Sequence, residues 1–262
     1  MAESQIRYED GGVYERYMAQ WSRAASEVFF DWLAPAKGLR WIDVGCGNGA
    51  VTQFLVDRCA PAEVQGIDPS QAQIAYAGSR PGMRIAAFRQ GDAMALPFPD
   101  KTFDAAIMAL VIFFVPVPAK GVAEMVRVTR PGGLVATYAW DLLNDGFPYD
   151  PILGEMRAMG FTPAMPPSSE ASRMEALRDL WNGARLNDVE QREITVQQTF
   201  ADFEEFWAIG LTAATVRLVI GSMNAREVET LKGRVRMRLG ADSAGRVTVS
   251  ARANAIKGRV PN

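Results

Sequence analysis

The chain is predicted to be an α/β protein built on a parallel sheet, and three observations carry that expectation. Short apolar runs alternate with helical segments from Leu39 onward, the rhythm of strands joined by helical crossovers. The first run ends in Asp43 and is followed at once by Gly45, Gly47 and Gly49, a turn that opens a helix. A second run ends in another acid, Asp68, about 20 residues past that turn, the spacing of strand-end acids in nucleotide-binding sheets.

Taken in order, Tyr14, Tyr17, Met18, Trp21, Ala25, Val28, Phe29 and Trp32 recur at spacings of three and four, which predicts an amphipathic helix closed by Pro35. Its apolar stripe packs on a core or flaps over a ligand. Leu39 to Val44 reads as the first strand and Ala50 to Arg58 as the helix after the glycine turn, stopped by Ala60-Pro61. Val64 to Ile67 is the second strand, and Ser70 is placed to cap the helix that runs through Ala77. Arg84 to Arg89 is the third, followed by Gly91-Asp92-Ala93 and a turn-rich stretch to Asp100. Phe103 to Leu110 is nearly all apolar, as a strand buried on both faces must be.

A helix near Lys120 to Val128 buries Val122, Met125 and Val126, and Pro131-Gly132-Gly133 is expected to turn the chain into a fifth strand, Leu134 to Trp140. After Trp140 the rhythm breaks. Pro148, Pro151, Pro163, Pro166 and Pro167 crowd into residues 141–169 with Met156, Met159 and Met165, a long connection of the kind that serves as a lid. Glu170 to Trp181 reads as a helix ended by Gly183, and Asn187 to Thr195 as a sixth strand. Phe200, Phe203, Phe206 and Trp207 stand at helical spacing, and Asn224 with Glu227 makes a capping-box start to a helix that Gly240 ends. Arg234, Arg236 and Arg238 near that end complement the helix dipole rather than form a nucleic-acid patch. Val247 to Ile256 alternates as a half-buried last strand, at an edge or as hairpin partner of the sixth. The expected organisation is one domain, 1–262, with an N-terminal helical flap at 1–37, a ligand-binding core at 38–140, and lid and cap insertions at 141–169 and 197–241.

Composition narrows the chemistry. The chain has 28 basic and 30 acidic residues, a net charge of −2, so no global field holds a polyphosphate backbone and nucleic acid is not expected as a partner. Met1 to Asp10 does not read as a signal peptide and no apolar run is long enough to span a bilayer, so a cytoplasmic protein with no membrane partner is expected. Cys46 and Cys59 are the only cysteines and there is no histidine, which removes disulfide frameworks, cysteine-rich metal sites and histidine-based nucleophilic triads; no metal is expected.

The glycine turn lets a ligand approach main-chain N–H groups at a helix start. Residues 45–50 also fit the loose fingerprint of dinucleotide sites, so the glycines alone leave a nicotinamide-dependent oxidoreductase open. Asp43 discriminates, because a carboxylate at this strand end suits a cationic ligand better than a pyrophosphate. Asp68 is placed to accept from ribose hydroxyls and Asp92 from an exocyclic amine.

The stretches Asp43-Val44-Gly45-Cys46-Gly47-Asn48-Gly49, Gly66-Ile67-Asp68-Pro69-Ser70, Gly91-Asp92-Ala93-Met94-Ala95-Leu96-Pro97-Phe98, Phe103-Asp104 and Val128-Thr129-Arg130-Pro131-Gly132-Gly133 together resemble the ordered motifs of class I S-adenosylmethionine-dependent methyltransferases. The resemblance is closest to the small-molecule branch that includes quinone-biosynthesis methyltransferases, and it spans residues 38–140. It implies a Rossmann-like, doubly wound, seven-stranded, mostly parallel sheet with an antiparallel last strand. It further implies S-adenosylmethionine as cofactor, S-adenosylhomocysteine as product, and a small-molecule methyl acceptor. Gly45 and Gly47 would line the methionine part, with Asp43 orienting it; Asp68 would hold the ribose; Asp92 and Ala93 would contact the adenine; and Cys46, Pro69 and Ser70 would also bind the cofactor. Ala109 and Leu110 would face the cofactor, and Tyr14, Met18 and Trp21 would cover it from the N-terminal helix. Where many relatives carry a histidine after the fourth strand this chain has Phe113-Phe114, so no such base carries over.

Methyl transfer from a sulfonium needs chiefly proximity and orientation, so the missing histidine is no obstacle. If a hydroxyl is methylated, Tyr138, Asp141 and Asp145 near the end of the fifth strand are the candidate bases. The aromatic and methionine content of the cap favours a partly apolar acceptor. The rival readings are the oxidoreductase and a non-catalytic S-adenosylmethionine-binding protein; a monomer or homodimer is expected.

Overall fold

A computed structural model describes residues 11–262, with side chains from Met18 onward; Met1 to Asp10 lie outside the described residues. Seven strands form one sheet in the order β3-β2-β1-β4-β5-β7-β6. The first five are β1 (Arg40–Val44), β2 (Glu63–Asp68), β3 (Ala86–Gln90), β4 (Phe103–Ala109) and β5 (Thr129–Trp140), all parallel. β6 (Asn187–Phe200) and β7 (Val247–Arg259) complete it, with β7 antiparallel to both β5 and β6. The seven-stranded, mostly parallel sheet with an antiparallel last strand is therefore as the resemblance implied.

The chain builds outward from β1 to β3 and then crosses back to place β4 on the other side of β1. That reversal opens a crevice at the carboxyl ends of β1 and β4, where sheets of this kind bind ligands. Trp41, Ile42 and Val44 of β1 and Ala105 to Met108 of β4 are wholly buried, so these two central strands form a dry floor beneath the crevice.

Helices α1 (Gly11–Leu33), α2 (Ala50–Cys59) and α3 (Gln71–Ser79) form one layer. Met18, Trp21, Ala25 and Phe29 of the predicted stripe are buried, with Phe29 meeting Tyr138 of β5 at 4.5 Å and Trp21 meeting Phe200 of β6 at 6.5 Å; Phe30, outside that stripe, also packs, on Phe54 of α2 at 5.5 Å. Each large side chain buried this way contributes about 1.5–3 kcal/mol. Ser70 caps α3 as predicted, its hydroxyl accepting from the Gln73 N–H. The other layer holds α4 (Pro118–Val128) and α6 (Met174–Gly183), whose Trp181 indole donates to the Val135 carbonyl.

The structure revises several boundaries. Pro131-Gly132-Gly133 does not precede β5 but bulges within it: the pairing with β4 jumps from Phe103–Thr129 to Ala105–Leu134, and Gly132, at φ 71°, donates to the Val260 carbonyl. The Pro-rich connection 141–169 contains a helix, α5 (Asp150–Ala158), because Pro151 falls in its first turn, where a missing N–H costs nothing. The helix expected from Glu170 divides into a 3-10 turn, Ser169–Ser172, and α6. The break is held from outside, since Ser172 accepts from the Leu142 N–H through its hydroxyl and from the Asn254 amide through its carbonyl.

Phe200 ends β6 instead of joining the next helix; α7 (Phe203–Gly210) starts from an Asp202 cap that accepts from the Glu205 N–H. A short α8 (Ala214–Ile220) and then α9 (Ala225–Leu239) follow, the latter with both bonds of the Asn224–Glu227 capping box. The arginines at the end of α9 do more than complement its dipole: Arg234 and Arg238 both reach Glu155 of α5, and Arg236 pairs with Glu204 of α7. β7 is the hairpin partner of β6, but it is no edge, because it is threaded between β5 and β6 and leaves β6 outermost. Among the described residues no helix is long and apolar enough to cross a membrane.

Candidate functional site

The glycine turn joins β1 to α2 through three positive-φ residues, Gly45 at 75°, Gly47 at 51° and Gly49 at 79°. The N–H groups of Gly45 and Cys46 both donate to the Ile67 carbonyl, tying the turn to β2. Gly45 is also required by space, since a Cβ there would stand 2.4 Å from the Val111 side chain. Val111 is thrown over the turn by Leu110, whose φ of 60° is a strained value for a residue with a branched side chain. At Gly66 a Cβ would meet the Phe88 ring at 2.5 Å and the Cys46 sulfur at 2.9 Å, so this glycine lets Cys46 pack against β3.

Asp43, at the end of β1, is 1% exposed; one carboxylate oxygen accepts from the Thr52 hydroxyl at 2.6 Å and the other, Oδ1, has no partner among the described residues. Burial, reinforced by nearby Asp68, raises its pKa to about 6 against the opposing Thr52 hydrogen bond. An ionised carboxylate with a bare oxygen in a dry setting gains most from a cation or a strong donor, and that unpaired atom is the observation that fits a positively charged ligand to this turn. Asp68, at the end of β2, accepts from the Gly47 N–H at 2.9 Å and the Ser70 N–H at 2.8 Å, and burial raises its pKa as well. The Cys46 thiol is held well above its ordinary pKa by burial and by the two carboxylates, which leaves it a packing group and not a nucleophile.

Asp92 is exposed at the end of β3, with Oδ1 accepting from the Met94 N–H, and Ala93 beside it is half-buried. This loop is fastened by residues the sequence did not single out: Glu124 of α4 accepts from the Leu96 N–H, and Arg127 donates to the carbonyls of Leu96 and Phe98 and to Asp100. Pro69 is fixed through its carbonyl by the Gln90 amide. Asp43, Asp68 and Asp92 thus end three adjacent parallel strands beside the glycine turn. Ala109 and Leu110 are buried at the end of neighbouring β4, where the Leu110 N–H donates to the Tyr138 carbonyl. Tyr14 lies in α1, but its side chain is outside the described residues; Met18 is buried, and Trp21 is buried toward Phe200.

Next to the strand ends is an apolar cavity. Leu110, Phe113 and Phe114 wall it after β4, Trp140 and Leu142 after β5, Phe147, Asp150, Leu153 and Arg157 around α5, Ala164, Met165 and Pro166 from the rest of that connection, Thr215 and Val216 from α8, and Met18 from α1. Both stretches expected to form lid and cap, 141–169 and 197–241, supply walls. The phenylalanine pair at 113 and 114 lies edge to face at 4.8 Å, and Ser168 binds the backbone just beyond it, its N–H donating to the Phe113 carbonyl and its hydroxyl to that of Val115.

The three candidate bases are held elsewhere. The Tyr138 hydroxyl is 2.9 Å from the Ser26 hydroxyl beneath α1, Asp141 is paired with Arg252 at 2.8 Å and with the Asn144 amide, and Asp145 is exposed, 3.8 Å from Arg157. None is among the cavity's lining residues; the carboxylate that is, Asp150, escaped sequence reading because it lies in the Pro-rich connection with no motif around it to mark it.

Residues 42–137 match the family profile described as a methyltransferase domain. Over that span the chain is similar to methyltransferases. The matched span is the same β1-to-β5 core that forms the glycine turn and the three acidic strand ends. Relatives include a squalene methyltransferase from Botryococcus braunii, 36% identical over 53% of this chain and 38% of its own length. A fatty-acid O-methyltransferase from Mycolicibacterium smegmatis is 33% identical over 56% of this chain and 52% of its own length. A demethylmenaquinone methyltransferase from Desulfitobacterium hafniense is 38% identical over 38% of this chain and 42% of its own length. The chain therefore spans about half or less of the length of these three relatives.

Solved structures resemble the fold as a whole. The YcgJ protein of Bacillus subtilis superposes with a TM-score of 0.62 at 16% identity, covering 92% of this chain and 99% of that one. Phosphoethanolamine N-methyltransferase 2 of Haemonchus contortus, solved in complex with S-adenosyl-L-methionine, gives 0.58 at 14% identity over 96% of this chain and 57% of that one.

Proposed function

We propose that this chain binds S-adenosylmethionine at the glycine turn and transfers its methyl group to a small, largely apolar acceptor held in the adjoining cavity. The observation that carries the reading is the juxtaposition of the matched methyltransferase core, with its unpaired buried Asp43 oxygen, and an apolar cavity that shares Leu110 with the end of β4. When bound, S-adenosylmethionine supplies a methyl group on a sulfonium that leaves as a neutral thioether.

The protein's own part is to hold and orient. Asp43 offers its bare oxygen to the cationic methionine portion, and the open space at Gly47, where a Cβ would meet nothing within 4 Å, admits ligand close to the backbone. Asp68 keeps lone pairs for ribose hydroxyls while its backbone bonds freeze its orientation. Asp92, Ala93, Pro69 and Ser70 frame the adenosine side; Cys46 fills the space behind the turn; Ala109, Leu110 and Met18 separate cofactor from cavity. The rings of Phe113, Phe114 and Trp140 exclude water from the acceptor's face, so proximity and desolvation bring the reacting atoms together without a histidine. The squalene, fatty-acid and quinone names among the relatives support a lipophilic acceptor.

Calorimetric titration tests the cofactor: S-adenosylmethionine and S-adenosylhomocysteine should give saturable heats and NAD(H) none, and the reverse pattern would make the protein an oxidoreductase. Labelled methyl transfer to quinols, sterols and fatty acids tests catalysis, with cofactor binding but no labelled product across extracts pointing to a non-catalytic binder. Asp68→Ala should weaken cofactor binding by about 1.5–3 kcal/mol, and unchanged affinity in the folded variant would remove Asp68 from the site. The same reading expects a cytoplasmic monomer or homodimer, checked by fractionation and light scattering.

A further inference from the structure

The cavity wall is mostly apolar, and its charged side chains come from one face of α5, where Asp150, Gly154 and Arg157 follow one another at spacings of four and three. Asp150 is fully engaged: Oδ2 accepts from the Phe147 N–H at 2.8 Å and Oδ1 from Arg157 Nη2 at 3.2 Å. Its part is to fix the guanidinium against the wall. Arg157 gives a single nitrogen to this, and the same Nη2 is the atom that approaches Asp145, at 3.8 Å. Its Nε and Nη1 make no hydrogen bond among the described residues, and Arg157 lines the cavity with 40% of its side chain still exposed.

A second guanidinium stands beside it. A Cβ at Gly154 would lie 2.8 Å from Arg238 Nη1 and 3.8 Å from Arg157 Nη2, so both groups sit over this one glycine. Arg238 approaches Glu155 only at 3.6 Å, too long for a hydrogen bond, while Arg234 holds that carboxylate at 2.7 Å. Three cations therefore face two shielded carboxylates, Asp150 and Glu155, whose side chains are 3% and 15% exposed; Asp145, at 66%, is screened by water. The surplus is positive, and it lies where the apolar wall meets solvent. Guanidinium N–H groups left open in such a place suit a carboxylate or phosphate, which accepts through two oxygens at once.

We propose that Arg157, held by Asp150 and supported by Arg238, anchors an anionic head group, so that the acceptor is an amphiphile with an apolar body in the cavity and a carboxylate or phosphate at its mouth. This rests on the cavity being the methyl-acceptor site, yet the anchor can be tested without transfer. The probes are decanoate, decyl phosphate and decan-1-ol, titrated into the full chain at pH 7.5 in 50 mM and 500 mM salt, with and without S-adenosylhomocysteine. Binding is followed by calorimetry and by tryptophan emission, since Trp140 is in the wall.

In low salt at least one of the two anions should bind about ten-fold more tightly than the alcohol, the tighter of them naming the head, and the advantage should shrink in high salt. Arg157→Gln should remove most of that advantage and Arg238→Gln about three-fold of it, with the alcohol's affinity unchanged in both. Because Arg157→Gln strands the buried Asp150 charge, Asp150→Asn combined with Arg157→Gln repeats the test without that cost. Alcohol binding as tightly as both anions overturns the proposal and needs no variant; so does a folded single or double variant at Arg157 that keeps the full preference for the anion. Anion preference with no heat from S-adenosylhomocysteine would instead overturn the methyltransferase reading while leaving the anchor intact.

Discussion

Asp43 works against its surroundings. Its carboxyl has an ordinary pKa of 3.8 and titrates near 6 in the fold, so it is ionised at neutral pH at an energetic cost. The sign follows from proton counting: between those values the folded chain binds more protons than the unfolded one, so stability falls as pH rises through the window, and the full cost of about 3 kcal/mol is present above it. Asp43→Asn should flatten the change in melting temperature between pH 4 and pH 6, raise the melting temperature of ligand-free protein at pH 7.5, and weaken S-adenosylmethionine binding. A variant that keeps the wild-type slope would assign it to another group. Gly45 and Gly47 both have positive φ, yet only Gly45 faces an obstacle, Val111. Gly45→Ala should therefore lower the melting temperature more than Gly47→Ala, and adding Val111→Ala should restore part of the difference; strictly additive effects would show that the clash is not what demands glycine. The glycines and the strand-end acids were legible because each is dictated by its immediate neighbours. Val111 was not, since nothing beside it in sequence says that a strained Leu110 carries it across to the first turn.

Among elements, legibility followed how local the instructions are. The capping box of α9 is written in four consecutive residues, and both its bonds form. Asn224→Ala should cost about 1 kcal/mol in denaturant unfolding, and because Arg234 and Arg238 fasten α9 to Glu155 of α5, it should also raise proteolysis within residues 141–169. Loss of stability without added cleavage there would mean that α5 holds its place independently of α9. The α5 helix itself was hidden by prolines that suggest irregular chain, although Pro151 is compatible with a first turn. The split between the Ser169–Ser172 turn and α6 had no local signal at all, being imposed by Leu142 and Asn254.

At the scale of the molecule, the core that matches the methyltransferase profile shares its sheet with strands that come later in the chain. Leu134 to Trp140 of β5 pair with β7, which follows β6 and the cap in the chain. A fragment ending at Trp140 would leave β5 as a long, apolar open edge. It should aggregate or bind a hydrophobic dye without a cooperative melt, and a sharp two-state transition from that fragment would show that residues 141–262 are dispensable for folding. The sequence by itself determined the alternation of strands and helices, the glycine turn, the three acids at strand ends and the exclusion of histidine chemistry, because periodicity, turn residues and composition act over a few positions. Tertiary structure alone decided that β7 lies inside the sheet, that Tyr138 and Asp141 are consumed by Ser26 and Arg252, and that Asp150 is the carboxylate in the cavity wall. Those outcomes depend on which distant segments exclude water from a given side chain, and that is a property of the packed chain rather than of any window within it.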